Sequence, residues 1–307
     1  MDMKWVFLDS YDRPRSGWRF VFFFLAFMFL AGTLATIGFA LLKLLAIPIE
    51  ADSPWIFAWS GFLMLIAAVI VGWLCGKYLD CVPFRALGLW FTSSWLRHLL
   101  LGLLFGAATL ALAVLLAFAF GGLRFELNAV DTSAIIYSLS TSFVIFTIAA
   151  LSEEVLFRGY MLQTFARSGL AAVAIGLTSV FFGIVHLRNP SAGNLAALNT
   201  ILAGIVFGIA YVKTRDLWFV TAMHFMWNWL QAALFGIEVS GLTSVAPAPL
   251  LREIDTGPHW LTGESYGLEG GIAATIALVV SFVVIYFAPW FKPDEEMVRL
   301  TSPNVYR

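Results

Sequence analysis

The sequence predicts an all-α polytopic membrane protein, with a single membrane domain over residues 1–307 built as a bundle of about eight transmembrane helices. Three observations support this prediction. Of the 307 residues, 61% are hydrophobic and only 12% are charged, whereas an average soluble domain has about 25% charged residues. The apolar residues are grouped in runs of roughly 20, the length at which a helix crosses the hydrocarbon core. The net charge is −1 without a basic block, which excludes nucleic acid as a main partner and favours the lipid bilayer.

Eight apolar runs are long enough to be membrane helices. They cover residues 18–46, 55–79, 96–120, 134–157, 169–187, 194–213, 216–237 and 270–291. The first run is too long for the core of a cleaved signal peptide, so we expect it to remain in the protein. The fourth run continues into residues 157–167, which we expect to form an amphipathic extension. The fifth and sixth runs are separated only by residues 188–193, a turn-forming stretch.

Basic residues are distributed unevenly between the two sides of this arrangement. If the N-terminus is cytoplasmic, the opposite side holds Lys43, Arg124, Arg188 and Arg252. The remaining 14 of the 18 lysines and arginines, Lys4 and Arg307 among them, then lie on the cytoplasmic side. Because cytoplasmic loops are rich in basic residues, the distribution predicts that both termini are cytoplasmic.

Several polar side chains interrupt runs four to seven. A charged group at the centre of a membrane helix costs about 2.5–3.5 kcal/mol, so a sequence retains one for pairing, transport or chemistry. The polar residues in question are Glu153, Glu154, Arg158, His186, Asn199, His224, Asn228 and Gln231.

The two adjacent glutamates cannot face one reaction centre equally, because neighbouring helix residues point in different directions. Glu154 and Arg158 are four residues apart and can form an ion pair on one face. Glu153 has no basic partner at that spacing in its own helix. We therefore expect Glu153 to carry the chemistry, and Glu154 with Arg158 to form a structural clamp.

His224 and Asn228 are also four residues apart and reach the same side of run seven. With Glu153 and His186 they form a set that can activate a water by two routes. In the first route, Glu153, His186 and His224 bind a divalent metal such as zinc, which lowers the pKa of the water. In the second, Glu153 and His186 act as general bases, and His224 with Asn228 form an oxyanion hole. Phe182, one turn before His186, would then shield the site from lipid.

The other polar residues favour simpler interpretations. We expect Asn199 and Gln231 to hold helices together by hydrogen bonds. His98 follows Arg97 at the edge of run three, and His259 lies in the loop before run eight. We expect both of these histidines to lie at the surface.

The three motifs together resemble a known family. Residues Glu153 to Arg158 match EExxxR, Phe182 to His186 match FxxxH, and His224 to Asn228 match HxxxN. In this order they are similar to the CPBP family, the CAAX proteases and bacteriocin-processing enzymes, also called type II CAAX prenyl endopeptidases. The resemblance covers residues 134–236, which we expect to be the catalytic core.

The resemblance implies an intramembrane endopeptidase with eight helices. By motif position, Glu153 is the water-activating residue and Glu154 is its essential neighbour. Arg158 completes the first motif, and His186 assists the water or binds metal. His224 and Asn228 bind metal or stabilise the oxyanion. The family is traditionally classed as metalloproteases, but a glutamate-based mechanism without metal is also proposed for it. The residues of this sequence are compatible with both mechanisms.

The span assignments leave one conflict. Glu153 and His224 fall towards the cytoplasmic half of their runs, whereas His186 falls near the far end of run five. If the three are to meet, run five must start deeper in the membrane, tilt or break, and residues 157–167 become candidates for burial.

Two other functions are open. Buried glutamate and histidine also serve proton-coupled transporters, although no repeated half is detectable. A catalytically silent immunity or scaffold protein on the same fold is the other alternative, against which the intact motifs argue. The compact chain with short loops is typical of a prokaryotic inner-membrane member. Its substrate is then expected to be a membrane-associated peptide or protein, and a prenylated CAAX protein is one alternative among several.

Overall fold

The computed structural model describes residues 4–47 and 53–302. Both chain termini and Arg307, which enter the orientation prediction, lie outside the described residues. The α-helices are α1 Lys4–Phe7, α2 Ser16–Leu44, α3 Pro54–Tyr78, α4 Trp95–Ala119, α5 Thr132–Glu154, α6 Leu162–Ala166, α7 Ala171–His186, α8 Asn194–Thr214, α9 Leu217–Trp229, α10 His259–Thr262, α11 Ile272–Phe287 and α12 Glu295–Thr301. Two π-helical segments follow α5 and α9, Val155–Met161 and Leu230–Leu234. Single 3-10 turns lie at Phe84–Leu87, Glu264–Tyr266 and Leu268–Gly270.

The all-α membrane fold is confirmed, since a helix lies at each of the eight predicted runs. Within the described ranges, five helices are long and apolar enough to cross a membrane: Ser16–Leu44, Pro54–Tyr78, Trp95–Ala119, Thr132–Ala166 and Asn194–Thr214. The other three are shorter than the runs predicted. α7 and α11 have 16 residues each, and α9 has 13 before its π-helical continuation.

The fourth run is longer than predicted, because α5, the π segment and α6 form one helix over Thr132–Ala166. Its second half is not the amphipathic extension that we expected. Every residue from Ser152 to Phe165 except Glu153 is buried. The polar groups there bind partners far away in the sequence. For example, the Tyr160 hydroxyl donates to Asp80 at 2.5 Å, and Gln163 donates to the carbonyl of Ala86.

Glycines set the close approach between the helices that carry the motifs. A Cβ at Gly102 or Gly106 of α4 would clash with the carbonyl oxygens of Phe219 and Met223 on α9. A Cβ at Gly204 of α8 would likewise overlap Ser179 of α7. Small residues spaced by four allow membrane helices to pack backbone to backbone. The two contacts fix α9 against α4, and α7 against α8.

A two-stranded antiparallel ribbon caps one end of the bundle, and it was not predicted. β1, Leu123–Leu127, pairs with β2, Leu251–Asp255, so that Leu123 faces Asp255 and Leu127 faces Leu251. The strands are 124 or more residues apart in the chain, and hydrophobic runs give no signal for such a pairing. The ribbon ties the loop after α4 to the long segment before α11.

Candidate active site

The first motif lies at a change of helix type. α5 ends at Glu154, and the π segment begins at Val155. π-helical turns inside α-helices are rare and are frequent at functional sites. Here the transition separates Glu153, which is partly exposed to a cavity, from Glu154, which is fully buried.

Glu154 lies at the centre of a buried hydrogen-bonded group. Its Oε1 atom accepts from Nη1 of Arg158 at 3.1 Å and from Nδ1 of His224 at 2.8 Å. The predicted ion pair between Glu154 and Arg158 is therefore present. The bond to His224 was not predicted, and it links the first motif directly to the third. Because Nδ1 donates to this carboxylate, the Nε2 atom of His224 is left to face the cavity.

Aromatic rings enclose the guanidinium of Arg158. Its central carbon lies 4.7 Å from the ring centre of Phe182, 5.3 Å from Phe207 and 5.7 Å from Phe157. Nη2 donates to the carbonyl of Gly204 at 3.3 Å. Cation–π contacts and charge-assisted hydrogen bonds lower the cost of a buried cation. Phe182 therefore packs on the clamp as well as on the cavity wall.

Glu153 faces both motif histidines. Its Oε2 atom lies 4.0 Å from Nε2 of His186 and 3.9 Å from Nε2 of His224. None of the described residues donates a hydrogen bond to this buried oxygen. The Nδ1 atom of His186 donates to the carbonyl of Phe182 at 2.7 Å, which turns its Nε2 towards Glu153. The structure thus brings together the three side chains that the span assignments had separated.

The helix that carries His186, α7, is shorter than a full membrane span. Its 16 residues span about 24 Å at 1.5 Å per residue, less than the roughly 30 Å of the hydrocarbon core. His186, at its end, therefore does not reach the far surface that the longer predicted run implied.

An apolar cavity of about 690 Å³ contains these groups. Glu153, His186, His224 and Asn228 all line it. Most of the wall is apolar and comes from several helices, including Phe27 of α2, Met64 of α3, Phe146 of α5, Phe182 of α7 and Leu278 of α11. Asn228 is half-buried and lies one turn beyond His224 on the same wall, as its spacing predicted.

The type of donor at this site matches zinc, but the spacing does not. Two imidazoles and one carboxylate are ordinary zinc ligands, and neighbouring ligands of a tetrahedral site lie roughly 3.3 Å apart. The observed separations of 4.0 and 3.9 Å are wider. Among the described residues, no group of three or more His, Cys, Asp or Glu side chains is placed to hold a metal ion.

Two residues of the site were missed by sequence reasoning. Phe207 of α8 stacks on the His224 ring at 5.0 Å between centres, but a phenylalanine in an apolar run carries no signal. Glu269 also lines the cavity. Its carboxylate accepts from the backbone N–H and hydroxyl of Ser240, at 2.7 and 2.6 Å, and from Trp227 at 3.2 Å. The position of Glu269 directly before run eight was the available sign, in the sequence, of a carboxylate close to the membrane helices.

Asn199 makes the contact between helices that we expected, whereas Gln231 bonds to the loop that follows its own helical segment. Asn199 donates to the carbonyls of Glu269 and Gly271, both at 2.9 Å, and so joins α8 to the start of α11. Gln231 donates to the carbonyl of Glu238 at 2.5 Å.

The prediction for His98 is wrong, and that for His259 is confirmed. His98 is buried, with Nδ1 bonded to Asp216 and Nε2 donating to the carbonyl of Lys292 at 3.1 Å. Its acidic partner is 118 residues away, so its neighbour in sequence, Arg97, was a poor guide. His259 is exposed and pairs with Glu264.

Comparison with known proteins identifies the same region of the chain. Residues 135–230 match the family model described as type II CAAX prenyl endopeptidase Rce1-like. The matched segment contains all three motifs. YyaK, an uncharacterized protein from Bacillus subtilis (strain 168), is 23% identical to this chain over 230 residues. That similarity covers 68% of this chain and 76% of the relative. The segment 135–230 of this membrane protein is therefore similar to the CAAX-type prenyl endopeptidases, which supports the resemblance that the three motifs carry.

Proposed function

We propose that the protein is an intramembrane endopeptidase that hydrolyses a peptide bond of a membrane-associated substrate with a water activated by Glu153 and His186. One observation carries the proposal. The unpaired Oε2 atom of Glu153 faces two imidazole Nε2 atoms inside an apolar cavity. The catalytic core of the proposal is residues 134–236 within a single membrane domain, 1–307.

The spacing of these groups suits a bound water. Two hydrogen bonds of about 2.8 Å that meet at a water at roughly a right angle join atoms about 4.0 Å apart. The separation between Glu153 Oε2 and His186 Nε2 is 4.0 Å. In the proposed ground state, the water donates one hydrogen to each atom, and its free lone pair points at the scissile carbonyl carbon.

The reaction proceeds in two proton transfers. As the water oxygen bonds to the carbonyl carbon, Glu153 takes a proton, and the carbonyl oxygen becomes an oxyanion. The carbon–nitrogen bond then breaks, and Glu153 returns its proton to the leaving amine. The products are a new carboxyl group and a new amino group.

His224 and Asn228 stabilise the oxyanion. The amide of Asn228 donates one hydrogen bond, and His224 in its doubly protonated form donates another from Nε2. Glu154 supports this role, because its Oε1 atom holds Nδ1 of His224 at 2.8 Å while Arg158 compensates its charge. Glu154 and Arg158 are positioning residues in this account. A preorganised donor to an oxyanion contributes about 10²–10³ in rate.

The proposal uses no metal-dependent step, because the donor atoms lie too far apart for shared ligation as they stand. Zinc bound by Glu153, His186 and His224 is the alternative form of the same proposal. It would require these side chains to approach one another by a few tenths of an ångström.

The apolar wall supports a substrate with an apolar segment or lipid group at the scissile bond. A prenylated CAAX-type peptide is one such substrate, and a bacterial membrane peptide or protein is the other. We further propose that the protein lies in a prokaryotic inner membrane with both termini in the cytoplasm, which the charge distribution supports.

The test is cleavage by purified protein in liposomes. A lipidated CAAX peptide and a bacterial membrane proteome are incubated with wild type, with Glu153→Ala and with Glu126→Ala, and the new peptide ends are identified by mass spectrometry. Glu126 lies on the exposed ribbon, so its variant controls for the loss of one carboxylate. Each protein is assayed with and without a chelator.

We expect wild type and Glu126→Ala to produce the same new peptide ends, and Glu153→Ala to produce none of them. Identical profiles for wild type and Glu153→Ala would contradict the peptidase proposal. Activity that survives the chelator would support the metal-free route, and its complete loss, restored by zinc, would establish the metal route instead.

A further inference from the structure

A second cavity, of about 890 Å³, lies away from the active site and shares no lining residue with it. It is found where the start of α2 meets the end of α3 and the end of α6. Residues 6–19 form much of its wall, and residues 165–170 complete it.

Basic side chains dominate the lining of this cavity. Four arginines line it, Arg13, Arg15, Arg19 and Arg167, against two carboxylates, Asp9 and Asp80. The difference leaves two formal positive charges in excess. An excess of this sign in a partly enclosed space attracts an anion.

The Asp80 carboxylate is already fully engaged. It is completely buried and accepts from Arg19 Nη1 at 2.8 Å and from the Tyr160 hydroxyl at 2.5 Å. Arg167 Nη1 lies 3.5 Å from it as well. Asp80 therefore holds the two arginines in place, and Asp9 also accepts from Arg19 Nη2 at 2.9 Å. These two carboxylates together cannot neutralise the four arginines that line the cavity.

Three arginine Nε groups in this region lack a hydrogen-bond acceptor among the described residues, although Arg13 Nε lies within ion-pair distance of Asp9 Oδ2, at 3.6 Å. The Nε groups of Arg13, Arg19 and Arg167 are buried, and none of the described residues accepts a hydrogen bond from them. Arg19 is only 4% exposed. Unsatisfied buried donors are rare in folded proteins, and a site for an ion or ligand is one of the standard reasons for them. A ligand with several acceptor oxygens would satisfy such a group.

The rim of the cavity lies where lipid headgroups are expected. Trp5, Phe7 and Trp18 are each more than a third exposed, and the rings of Phe7 and Trp18 stack at 5.1 Å. Trp18 donates to the carbonyl of Val6 at 3.1 Å, which holds the N-terminal segment against the start of α2. Exposed aromatic side chains at the end of an apolar helix are typical of the membrane–water interface.

We propose that this cavity binds the phosphate group of an anionic glycerophospholipid. The phosphate oxygens accept from the arginines that line the cavity, and the exposed aromatic side chains beside it contact the glycerol and acyl region. The positive excess selects against zwitterionic lipids, whose headgroup cation would meet the arginines. The aromatic rim favours a lipid over free inorganic phosphate, which gains nothing from it.

The binding site is connected to the first motif through one contact. Tyr160, which donates to Asp80, belongs to the π segment that begins directly after Glu154. A bound lipid that fixes Arg19 and Arg167 therefore also stabilises the base of the helix that carries the active-site carboxylates.

The test measures lipid binding by the full chain in a neutral detergent. Phosphatidylglycerol, phosphatidylcholine and inorganic phosphate are titrated separately, and binding is followed by native mass spectrometry and by the shift in melting temperature. The variants are Arg13→Gln and Arg167→Gln, and the matched control is Lys77→Gln. Lys77 is an exposed cation in the last turn of α3 that does not line the cavity.

We expect saturable binding of phosphatidylglycerol that raises the melting temperature, and weaker binding of phosphatidylcholine. Arg13→Gln should weaken phosphatidylglycerol binding by about fivefold or more, because one basic residue near an anionic headgroup contributes on that scale. Arg13 is partly exposed, so this variant should fold even if Arg167→Gln does not. Equal binding of the two lipids, or an equal loss in Lys77→Gln, would overturn the proposal. So would inorganic phosphate that matches phosphatidylglycerol at the same concentration.

Discussion

Two buried histidine–carboxylate pairs lie along helix α9, and they differ in what surrounds the second ring nitrogen. At the start of α9, Asp216 binds His98, whose other nitrogen donates to the carbonyl of Lys292. Further along, His224 donates to Glu154, but its Nε2 atom faces Glu153 and the cavity. The first pair is closed by protein groups, whereas the second is left open towards a space of substrate size.

The carboxylates differ in the same way. Asp216 caps α9 by accepting from the backbone N–H of Phe219 at 3.2 Å, so its charge is stabilised by the helix terminus as well as by His98. Glu154 has no helix terminus nearby and depends on Arg158. Two pairs with the same chemistry therefore have different tasks. One holds helices together, and the other positions an imidazole for a reaction.

The largest expected effect on stability tests the dependence of Glu154 on Arg158. Arg158→Met leaves a fully buried carboxylate without its cation, and we expect a loss of about 3–5 kcal/mol in the free energy of unfolding. The measurement is denaturant unfolding in detergent. Arg252→Met is the matched control, since its pair with Glu126 is exposed and should contribute less than about 1 kcal/mol. Equal losses in the two variants would mean that the Glu154 group is not a buried clamp.

The open pair is tested by removing its imidazole. We expect His224→Ala to lower the rate of peptide cleavage by about 10²–10³, since it removes one donor to the oxyanion. The initial rate per folded molecule is compared with that of His98→Ala. If both variants lost activity to the same degree, the distinction between the open and the closed pair would be wrong.

The closed pair is tested by its effect on stability. His98→Leu leaves the buried Asp216 without a side-chain partner, and we expect a loss of about 1–3 kcal/mol. The rate per folded molecule should stay within a few-fold of wild type, because His98 does not line the active-site cavity. The measurement is the melting temperature together with the rate. An unchanged melting temperature would show that the pair contributes no stability.

A further effect is expected outside the membrane, in the ribbon. Burial, with the carboxylates of Glu238 and Asp255 nearby, raises the pKa of Glu253 to about 8 from an ordinary value of 4.5. Between pH 4.5 and about 8, Glu253 holds a proton in the folded chain that it has lost in the unfolded chain. The free energy of unfolding should therefore fall as the pH rises through this range. Glu253→Gln should reduce this fall, which is measured as melting temperature against pH. An unchanged pH dependence would contradict the assignment to Glu253.

The sequence analysis predicted neighbours within one helix well and partners between helices poorly. The spacing of Glu154 and Arg158 predicted their ion pair, and the apolar runs located every helix that carries a motif. The bond between His98 and Asp216 joins residues 118 positions apart. Apolar runs and helical periodicity contain no information about contacts between residues so far apart in the sequence.

Burial of the segment after Glu154 followed from the sequence only as a condition for the motifs to meet, and its hydrogen-bond partners were not predicted. Arg158, Tyr160 and Gln163 are polar and, taken locally, indicate a solvated face. Their partners lie elsewhere, in Asp80 for Tyr160 and in the carbonyl of Ala86 for Gln163. Polar residues are buried when partners satisfy them, and those partners become visible only in three dimensions.

The central claim is that Glu153 activates the water that cleaves the substrate. The most direct measurement is the rate of peptide cleavage by Glu153→Gln in liposomes, against wild type and Glu126→Gln, with a substrate found in the profiling experiment. Gln keeps the shape of the side chain but cannot take up the proton. We predict a loss of about 10²–10⁴ in rate for Glu153→Gln, the range for a general base, and no loss for Glu126→Gln. A Glu153→Gln rate within threefold of wild type would contradict the account.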